Sequence, residues 1–210
     1  MESGTHQVST ETTVPKPDLI RIDPEGDVIL VVKDKSKTPP EVRGSLLVST
    51  KVLSLASPVF EKLLGPNFAE GVRKRKFSCP EIVLHGDEPD SMRIMLQALH
   101  YQRPTELETM GAETLASLAI HCDKYDTVKA LNPMLWNMLD RVRSISAKKD
   151  YGFLLLAARM LHYENSFREM VTKCLMDLTP ASIEEWEEVE MLDIITDIRG
   201  KAAEPIFQLG

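Results

Sequence analysis

The chain has 210 residues, of which 43% are hydrophobic and 27% are charged, and 25 basic against 32 acidic side chains give a formal charge of −7. These fractions are typical of globular proteins and exclude a wholly disordered or fibrous chain. The acidic balance argues against nucleic acid as the main partner, because phosphate binding needs a concentrated positive field. No segment approaches the roughly 20 apolar residues that cross a bilayer, so no membrane contact is expected.

The cysteine content and the first residues bear on the cellular compartment. The stretch from Met1 to Thr13 is polar and lacks the apolar core of a secretory signal. The three cysteines are odd in number and lie far apart in the sequence, which disfavours a disulfide framework. Both features predict an intracellular protein, located in the cytoplasm, the nucleus or both.

The N-terminal part of the chain predicts a tail followed by a hairpin. Residues 1 to about 24 are rich in Ser, Thr, Pro and Glu and bury little apolar surface, so we expect a flexible tail. Ordered structure is predicted to begin at the β-branched run Asp27–Val32. A charged loop through Pro39-Pro40 leads to a second strand over Glu41–Val48, and the two strands are expected to pair as a hairpin.

The hydrophobic period then changes to three or four residues, which predicts helix. Ser57-Pro58 divides this stretch, because Ser is a good N-cap and Pro is favoured in the first turn of a helix. The sequence therefore predicts two helices, Thr50–Ala56 and Pro58–Leu64. A short apolar run over Glu81–His85 predicts a third strand.

From residue 89 onwards the pattern is helical throughout. The predicted helices are Pro89 to about Leu99, Ala112–Tyr125, one from Asn132-Pro133 through Val142, Tyr151–Leu161, Asn165–Leu178, a short one from Thr179 through Trp186, and Leu192–Ala203. This order of elements predicts an α+β fold, in which a small sheet is capped by a cluster of helices and is followed by an all-α C-terminal extension.

Six strings in the chain together resemble the BTB/POZ domain family. They are Asp27-Val-Ile-Leu-Val-Val32, Val48-Ser-Thr-Lys-Val-Leu-Ser-Leu-Ala-Ser-Pro-Val-Phe60, Phe68-Ala-Glu-Gly71, Ile82-Val-Leu-His-Gly-Asp87, Met95-Leu-Gln-Ala-Leu-His-Tyr101 and Leu118-Ala-Ile-His-Cys-Asp-Lys-Tyr-Asp126. They look most like the fungal branch of the family. The resemblance implies a BTB/POZ domain over residues 25–142, preceded by the tail 1–24 and followed by a helical extension over 143–210.

The resemblance also implies a homodimer face, which the first strand and the first helix build in the family. Here Val28, Leu30, Val52 and Leu55 are the candidates, and part of this set is expected to belong to the chain's own core. The matching residues are mainly apolar or small, so they specify packing and offer no acid, base or nucleophile. We therefore predict a non-catalytic protein–protein interaction module that acts by homodimerisation, by adaptor contacts, or by both.

Two alternative functions stay open. Family members that recruit cullin ubiquitin ligases carry a hydrophobe-x-Glu element after the long helix, and Met110-Gly-Ala-Glu113 is the nearest match, one residue longer. A cullin is therefore a candidate partner, with contacts along the loop Tyr101–Gly111 and the helix after it. The run Arg73, Lys74, Arg75 and Lys76 is a candidate nuclear localisation signal for a nuclear regulatory protein, although a solvated loop is the simpler interpretation.

A corepressor pocket is not supported by the sequence. Repressors of the family pair a basic side chain with the aspartate at the first strand, which is Asp27 here. Ser49 and Thr50 stand where the family often has His-Lys, and Lys51 is the nearest basic substitute.

One enzyme hypothesis, a Cys–His nucleophile or metal site, arises at His121-Cys122-Asp123. Neighbours on a helix point about 100° apart, so these three side chains are not expected to converge. Cys122 lies on the apolar stripe and is predicted to be a buried thiol, while His85, His100 and His162 stand alone in the sequence. The common catalytic signatures are absent, so we expect no enzymatic activity, no cofactor and no metal.

An acidic segment around a tryptophan, Glu184-Glu-Trp-Glu-Glu188, lies near the C-terminal end of the sequence. Ile183, Trp186 and Val189 recur at i, i+3 and i+6 and are predicted to turn inward from one helix. The glutamates then form the outer face of that helix, and an acidic docking face for a partner is the alternative interpretation.

Overall fold

The computed structural model describes residues 18–34, 41–65 and 79–177 and shows a mixed α+β protein in these ranges. The strands are β1 (Leu19–Arg21), β2 (Val28–Asp34), β3 (Glu41–Val48) and β4 (Glu81–His85). The helices are α1 (Thr50–Ala56), α2 (Pro58–Leu64), α3 (Pro89–Leu99), α4 (Ala112–Lys124), α5 (Val128–Ile145), α6 (Tyr151–Met160) and α7 (Glu164–Asp177). Two single turns of 3-10 helix cover Thr105–Glu108 and Lys148–Asp150.

The four strands form one mixed sheet in the order β1-β3-β2-β4. Strands β2 and β3 pair antiparallel, which confirms the predicted hairpin, and β1 and β4 each pair parallel to their neighbour. One face of the sheet packs on the helices through Val28, Leu30, Val32, Leu46, Val48, Ile82 and Leu84. These side chains alternate along each strand, as a sheet with one face on the main core requires.

Strand β1 corrects the predicted extent of the N-terminal tail. The sequence predicts a flexible tail as far as residue 24, but Leu19–Arg21 pairs with β3 and Ile22 is buried. The N–H groups of Ile22 and Asp23 both donate to the carbonyl of Leu47 at 3.0 Å. All three side chains of β1 are exposed, so this short edge strand lacks the alternation from which a strand is predicted. Residues 1–17 of the predicted tail lie outside the described residues.

Helices α1 and α2 confirm the predicted division at Ser57-Pro58. Ser57 ends α1 and caps α2, and its hydroxyl oxygen accepts a hydrogen bond from the N–H of Phe60 at 3.0 Å. The same hydroxyl donates to the carbonyl of Tyr125 at 2.5 Å. Ser57 therefore ties the corner between the first two helices to the end of α4.

Helix α5 begins four residues earlier than predicted and contains Pro133 inside it. Thr127 starts the helix directly after α4, and its N–H and hydroxyl both donate to the carbonyl of Cys122. Pro133 cannot donate to the carbonyl of Lys129, but Lys129 is exposed, so water can hydrate that carbonyl. Trp136, which follows the buried Leu135, is 47% exposed.

A continuous hydrophobic core extends from the sheet to α7 in the described part of the chain. The predicted domain boundary between residues 142 and 143 falls within α5. Core residues lie on both sides of it, with Val142 before the boundary and Cys174 after it. The predicted helices from Thr179 and over Leu192–Ala203 lie outside the described residues. None of the described helices combines the length and the apolar character that crossing a bilayer requires.

Candidate functional site: an exposed apolar surface on the first helix and the edge strand

The four residues predicted to form a dimer face separate into two groups. Val28 and Leu30 are 0% exposed and belong to the hydrophobic core, so they are the part of the set that packs within the chain itself. Val52 is half-buried against the same core, whereas Leu55 is 81% exposed. The sequence alone does not show which of these four side chains are buried, because the strand and helix positions carry apolar side chains of similar size.

Helix α1 turns Leu55 outward for a local geometric reason. Ser49 caps the helix, and Leu53 points into the core without exposed area. Leu55 follows Leu53 by two residues, about 200° further around the helix, and therefore faces away from the core. Val59 on α2 is also partly exposed, and Leu55, Val59 and the outer edge of Val52 together are called the first-helix surface.

The second exposed apolar feature is β1 at the edge of the sheet. Leu19 and Ile20 are 37% and 40% exposed. Among the described strands none pairs with β1 on its outer side. An edge strand of this kind presents N–H and C=O groups that can pair with another chain.

Hydrogen bonds hold the chain after β1, the start of α1 and the end of α3 together. Asp27 accepts bonds from the N–H and from the hydroxyl of Thr50, both at 2.7 Å. Gln102, three residues after α3, donates its side-chain amide to the carbonyl of Ile22 at 2.5 Å. Asp27 therefore fixes the start of α1 through Thr50, one of the positions where the sequence departs from the family pattern.

Two histidines also hold separate parts of the chain together through hydrogen bonds. The Nε2 atom of His100 accepts the N–H of Ser49 at 3.1 Å, and the Nε2 atom of His121 accepts the N–H of Glu88 at 2.9 Å. Each ring uses Nδ1 to bond the carbonyl four residues earlier in its own helix. Ser49 and Glu88 are the N-caps of α1 and α3, so each histidine ties the start of one helix to another helix. The structure thus gives both residues a structural role.

The loop after α3 presents one fully exposed aromatic side chain. Tyr101 is 97% exposed and has a left-handed backbone with φ at 58°. Met110, proposed from the sequence as part of a cullin contact, is buried in the core of the single chain. Glu113 lies exposed in the first turn of α4.

Arg141 organises this loop and was not identified from the sequence. Its guanidinium donates to the carbonyls of Leu107 at 2.6 Å, Glu108 at 3.1 Å and Met110 at 3.4 Å. A residue of α5 thus satisfies three carbonyls at the end of the 3-10 turn. No local sequence pattern predicts this contact, because Arg141 lies more than thirty residues after the loop in the sequence.

A buried polar cluster around Asp87 joins two of the strings quoted above for the family resemblance. The Asp87 carboxylate is fully buried and accepts bonds from Lys124 Nζ at 2.7 Å and from the Tyr125 hydroxyl at 3.0 Å. Burial, and then the charge of Asp87, raises the pKa of Tyr125 well above its ordinary value, so the hydroxyl stays protonated and donates. The Tyr125 ring stacks on Phe60 at 4.6 Å between centroids.

No family model matches this chain, and no curated protein matches it either. The resemblance to BTB/POZ domains therefore rests on the sequence strings, and a functional argument must start from the geometry just described.

The side chains of His121, Cys122 and Asp123 do not converge on one point in the structure. Cys122 is buried, as predicted, and burial raises the pKa of its thiol to about 12, which disfavours the reactive thiolate. His121 faces the N–H of Glu88, whereas Asp123 pairs with His162 at 3.0 Å. Within residues 18–34, 41–65 and 79–177, no three His, Cys, Asp or Glu side chains are grouped to hold a metal. The basic run at residues 73–76 lies outside these ranges.

The N-cap of α3 is a titratable group whose charge the fold stabilises. The Glu88 carboxylate accepts the N–H groups of Asp90 at 2.9 Å and Ser91 at 2.6 Å. Burial alone would raise the pKa of Glu88, but these hydrogen bonds favour the charged form and lower the pKa below its ordinary value near 4.5. A carboxylate at this position also interacts favourably with the helix dipole.

Acid is therefore expected to weaken the fold through Glu88. Because its pKa is lower in the folded chain, the stabilisation is present above the unfolded value and is lost as the pH falls through the folded value. The variant Glu88→Gln keeps an acceptor oxygen but does not titrate. Between about pH 5 and about pH 3, its urea midpoint should fall less than that of the wild type. Equal losses in the two proteins would contradict this assignment.

Proposed function

We propose that this chain is a non-catalytic protein–protein interaction module of the BTB/POZ type, which self-associates through the first-helix surface and strand β1. The observation that carries the proposal is the 81% exposure of Leu55 on a helix that the fold holds firmly at its N-terminal end. Fully burying a leucine side chain is worth about 1.5–3 kcal/mol, so its exposure in the single chain favours an occupant for this surface.

A second copy of the chain is the occupant that the geometry favours. In a two-fold contact each apolar side chain meets the same patch on the partner, so one surface serves both protomers. The edge of β1 adds backbone groups that can pair across such an axis, next to the exposed Leu19 and Ile20. Apolar anchors with an unpaired strand edge supply both affinity and register.

The described residues favour a protein–protein interaction over catalysis. Their buried polar side chains Asp87 and His121, which lie 3.6 Å apart, form hydrogen bonds that hold loops to helices. Cys79, Cys122 and Cys174 are all free thiols, and an intracellular, reducing compartment is part of the proposal.

Amide hydrogen exchange at two protein concentrations tests this proposal. At the higher concentration, peptides covering residues 19–22 and 50–60 should exchange more slowly, because dimer formation protects them. Peptides covering α3, which is packed in the core, serve as the internal control and should not change. Equal exchange of the 19–22 and 50–60 peptides at both concentrations would contradict the proposed surface.

A further inference from the structure

His100 links the end of α3 to the start of α1, the helix that carries most of the first-helix surface. Its Nδ1 atom lies 2.7 Å from the carbonyl oxygen of Leu96, and its Nε2 atom lies 3.1 Å from the backbone nitrogen of Ser49. A carbonyl can only accept a hydrogen bond and an N–H can only donate one, so Nδ1 carries the proton and Nε2 offers its lone pair. The two partners together therefore require the neutral ring.

A second proton on this ring breaks the contact with α1. The new N–H at Nε2 would point at the N–H of Ser49, and two donors cannot share a hydrogen bond. The bond from Nδ1 to Leu96 survives, because Nδ1 donates in both forms of the ring. The ring therefore stays on α3, and it is the start of α1 that moves. Ser49 is the N-cap of α1, and this helix has only seven residues, about two turns, with which to compensate.

The charged surroundings of the contact determine how readily the ring takes up a proton. The titratable and charged side chains of the elements that meet here are Asp23, Glu25 and Asp27 before β2, Lys51 on α1, and Tyr101 and Arg103 after α3. Asp27 lies next to the contact, because it accepts the N–H and the hydroxyl of Thr50, the residue after Ser49. The negative charge of Asp27 attracts a protonated ring, and turning towards Asp27 takes the ring away from Ser49.

We propose that His100 makes self-association dependent on pH, because its neutral ring holds α1 in the position that a second copy of the chain contacts. This inference rests on the function proposed above. Val52 and Leu55 lie on α1, so moving the start of this helix disturbs the apolar surface that the second copy meets. The neutral ring and the second copy favour the same position of α1, and each therefore strengthens the other.

The chemistry of histidine sets the pH range of this effect. An ordinary histidine side chain takes up its proton near about pH 6.5, and His100 is only half-buried, so solvent protons reach it. Association is therefore strongest above this range and weakens as the pH falls through it. The formal charge of −7 has the opposite effect, because it becomes less negative in acid and the two copies then repel each other less.

His121 makes the equivalent contact at a different place. Its ring accepts the N–H of Glu88, the N-cap of α3, so its protonation would disturb α3 rather than the first-helix surface. His121 is also buried, whereas His100 is partly open to solvent. The regulation is therefore assigned to His100.

Sedimentation equilibrium at about pH 7.5 and about pH 5.5 tests this inference on either side of the histidine range. The dissociation constant of the wild type should rise at least about tenfold at the lower pH, because each of the two protomers takes up a proton. His100→Gln keeps an oxygen that can accept the N–H of Ser49 but does not titrate, so its dissociation constant should change less than about twofold. His162→Gln removes an exposed histidine that pairs with Asp123 on α4, and this matched control should keep the wild-type pH dependence.

Amide hydrogen exchange supplies a readout that needs no substitution of His100. It uses the variant Leu55→Glu, in which the second copy is expected to be lost. After correction for the intrinsic effect of pH on exchange, the peptide covering residues 49–56 should lose protection between about pH 7.5 and about pH 5.5. The peptide covering α6, which contains no histidine, is the internal control and should not change.

The outcomes separate this inference from the function on which it rests. The inference alone is overturned if the wild type associates equally at both pH values, if His100→Gln keeps the wild-type pH dependence, or if the 49–56 peptide keeps its protection in acid. A wild type that is monomeric at both pH values overturns the proposed function and this inference together.

Discussion

Replacing Asp87 with alanine is expected to lower the free energy of unfolding by about 3 kcal/mol, because it removes the shared acceptor of a buried cluster. The carboxylate receives hydrogen bonds from Lys124 and Tyr125 and lies 3.6 Å from His121. The Lys124 ammonium can turn to water, since its side chain is partly exposed. The Tyr125 hydroxyl is left without its acceptor in the interior, and this loss dominates the cost.

Urea denaturation of Asp87→Ala, Tyr125→Phe and the double variant measures the expected effect. The double-mutant cycle should give a coupling energy of about 1 kcal/mol or more, since the two groups bond directly. Lys124→Ala is the comparison at the exposed side of the cluster and should cost clearly less than Asp87→Ala. If the free energy of unfolding of Asp87→Ala lies within about 0.5 kcal/mol of the wild-type value, the cluster does not stabilise the fold.

The variant Leu55→Glu is expected to weaken self-association about 100-fold, which corresponds to roughly 3 kcal/mol. The substitution removes the most exposed apolar anchor of the first-helix surface and brings a carboxylate into a contact that excludes water. The fold itself should be unaffected, because the side chain of Leu55 lies outside the core of the single chain. The dissociation constants can be measured by sedimentation equilibrium.

Ile145→Glu is the matched control for Leu55→Glu. Ile145 is also strongly exposed, but it lies at the end of α5 and outside the proposed contact. It should leave the dissociation constant within about twofold of the wild type, a difference of roughly 0.4 kcal/mol. If both variants weaken association equally, general charge rather than the first-helix surface is responsible.

The parts of the fold that the sequence predicted correctly are those with local causes. Ser57-Pro58 marks a helix boundary through a side-chain cap and a fixed φ angle, and the structure divides the helices there. The same holds for Pro89 at the first turn of α3 and for the apolar stripe of α4. Strand β1 escaped prediction because a non-local pairing establishes it. The early start of α5 escaped prediction because the two bonds from Thr127 to the carbonyl of Cys122 establish it, and hydrophobic periodicity does not show such bonds.

The candidate site was predicted only in part, for a related reason. Periodicity showed that Val28, Leu30 and Leu55 are apolar but not which of them faces the core, since that depends on how the sheet and helices pack. The histidine contacts to N-caps and the three carbonyl bonds of Arg141 join distant parts of the chain. Such contacts follow from tertiary packing, and a single sequence carries no local signal for them.

The mass of the wild-type protein in solution tests the central claim most directly. Sedimentation equilibrium at increasing concentration should give a mass that approaches twice the 23.6 kDa of one chain, and Leu55→Glu should shift this transition to higher concentration. A mass that stays at 23.6 kDa at every concentration would contradict the proposal that this protein works by associating with itself.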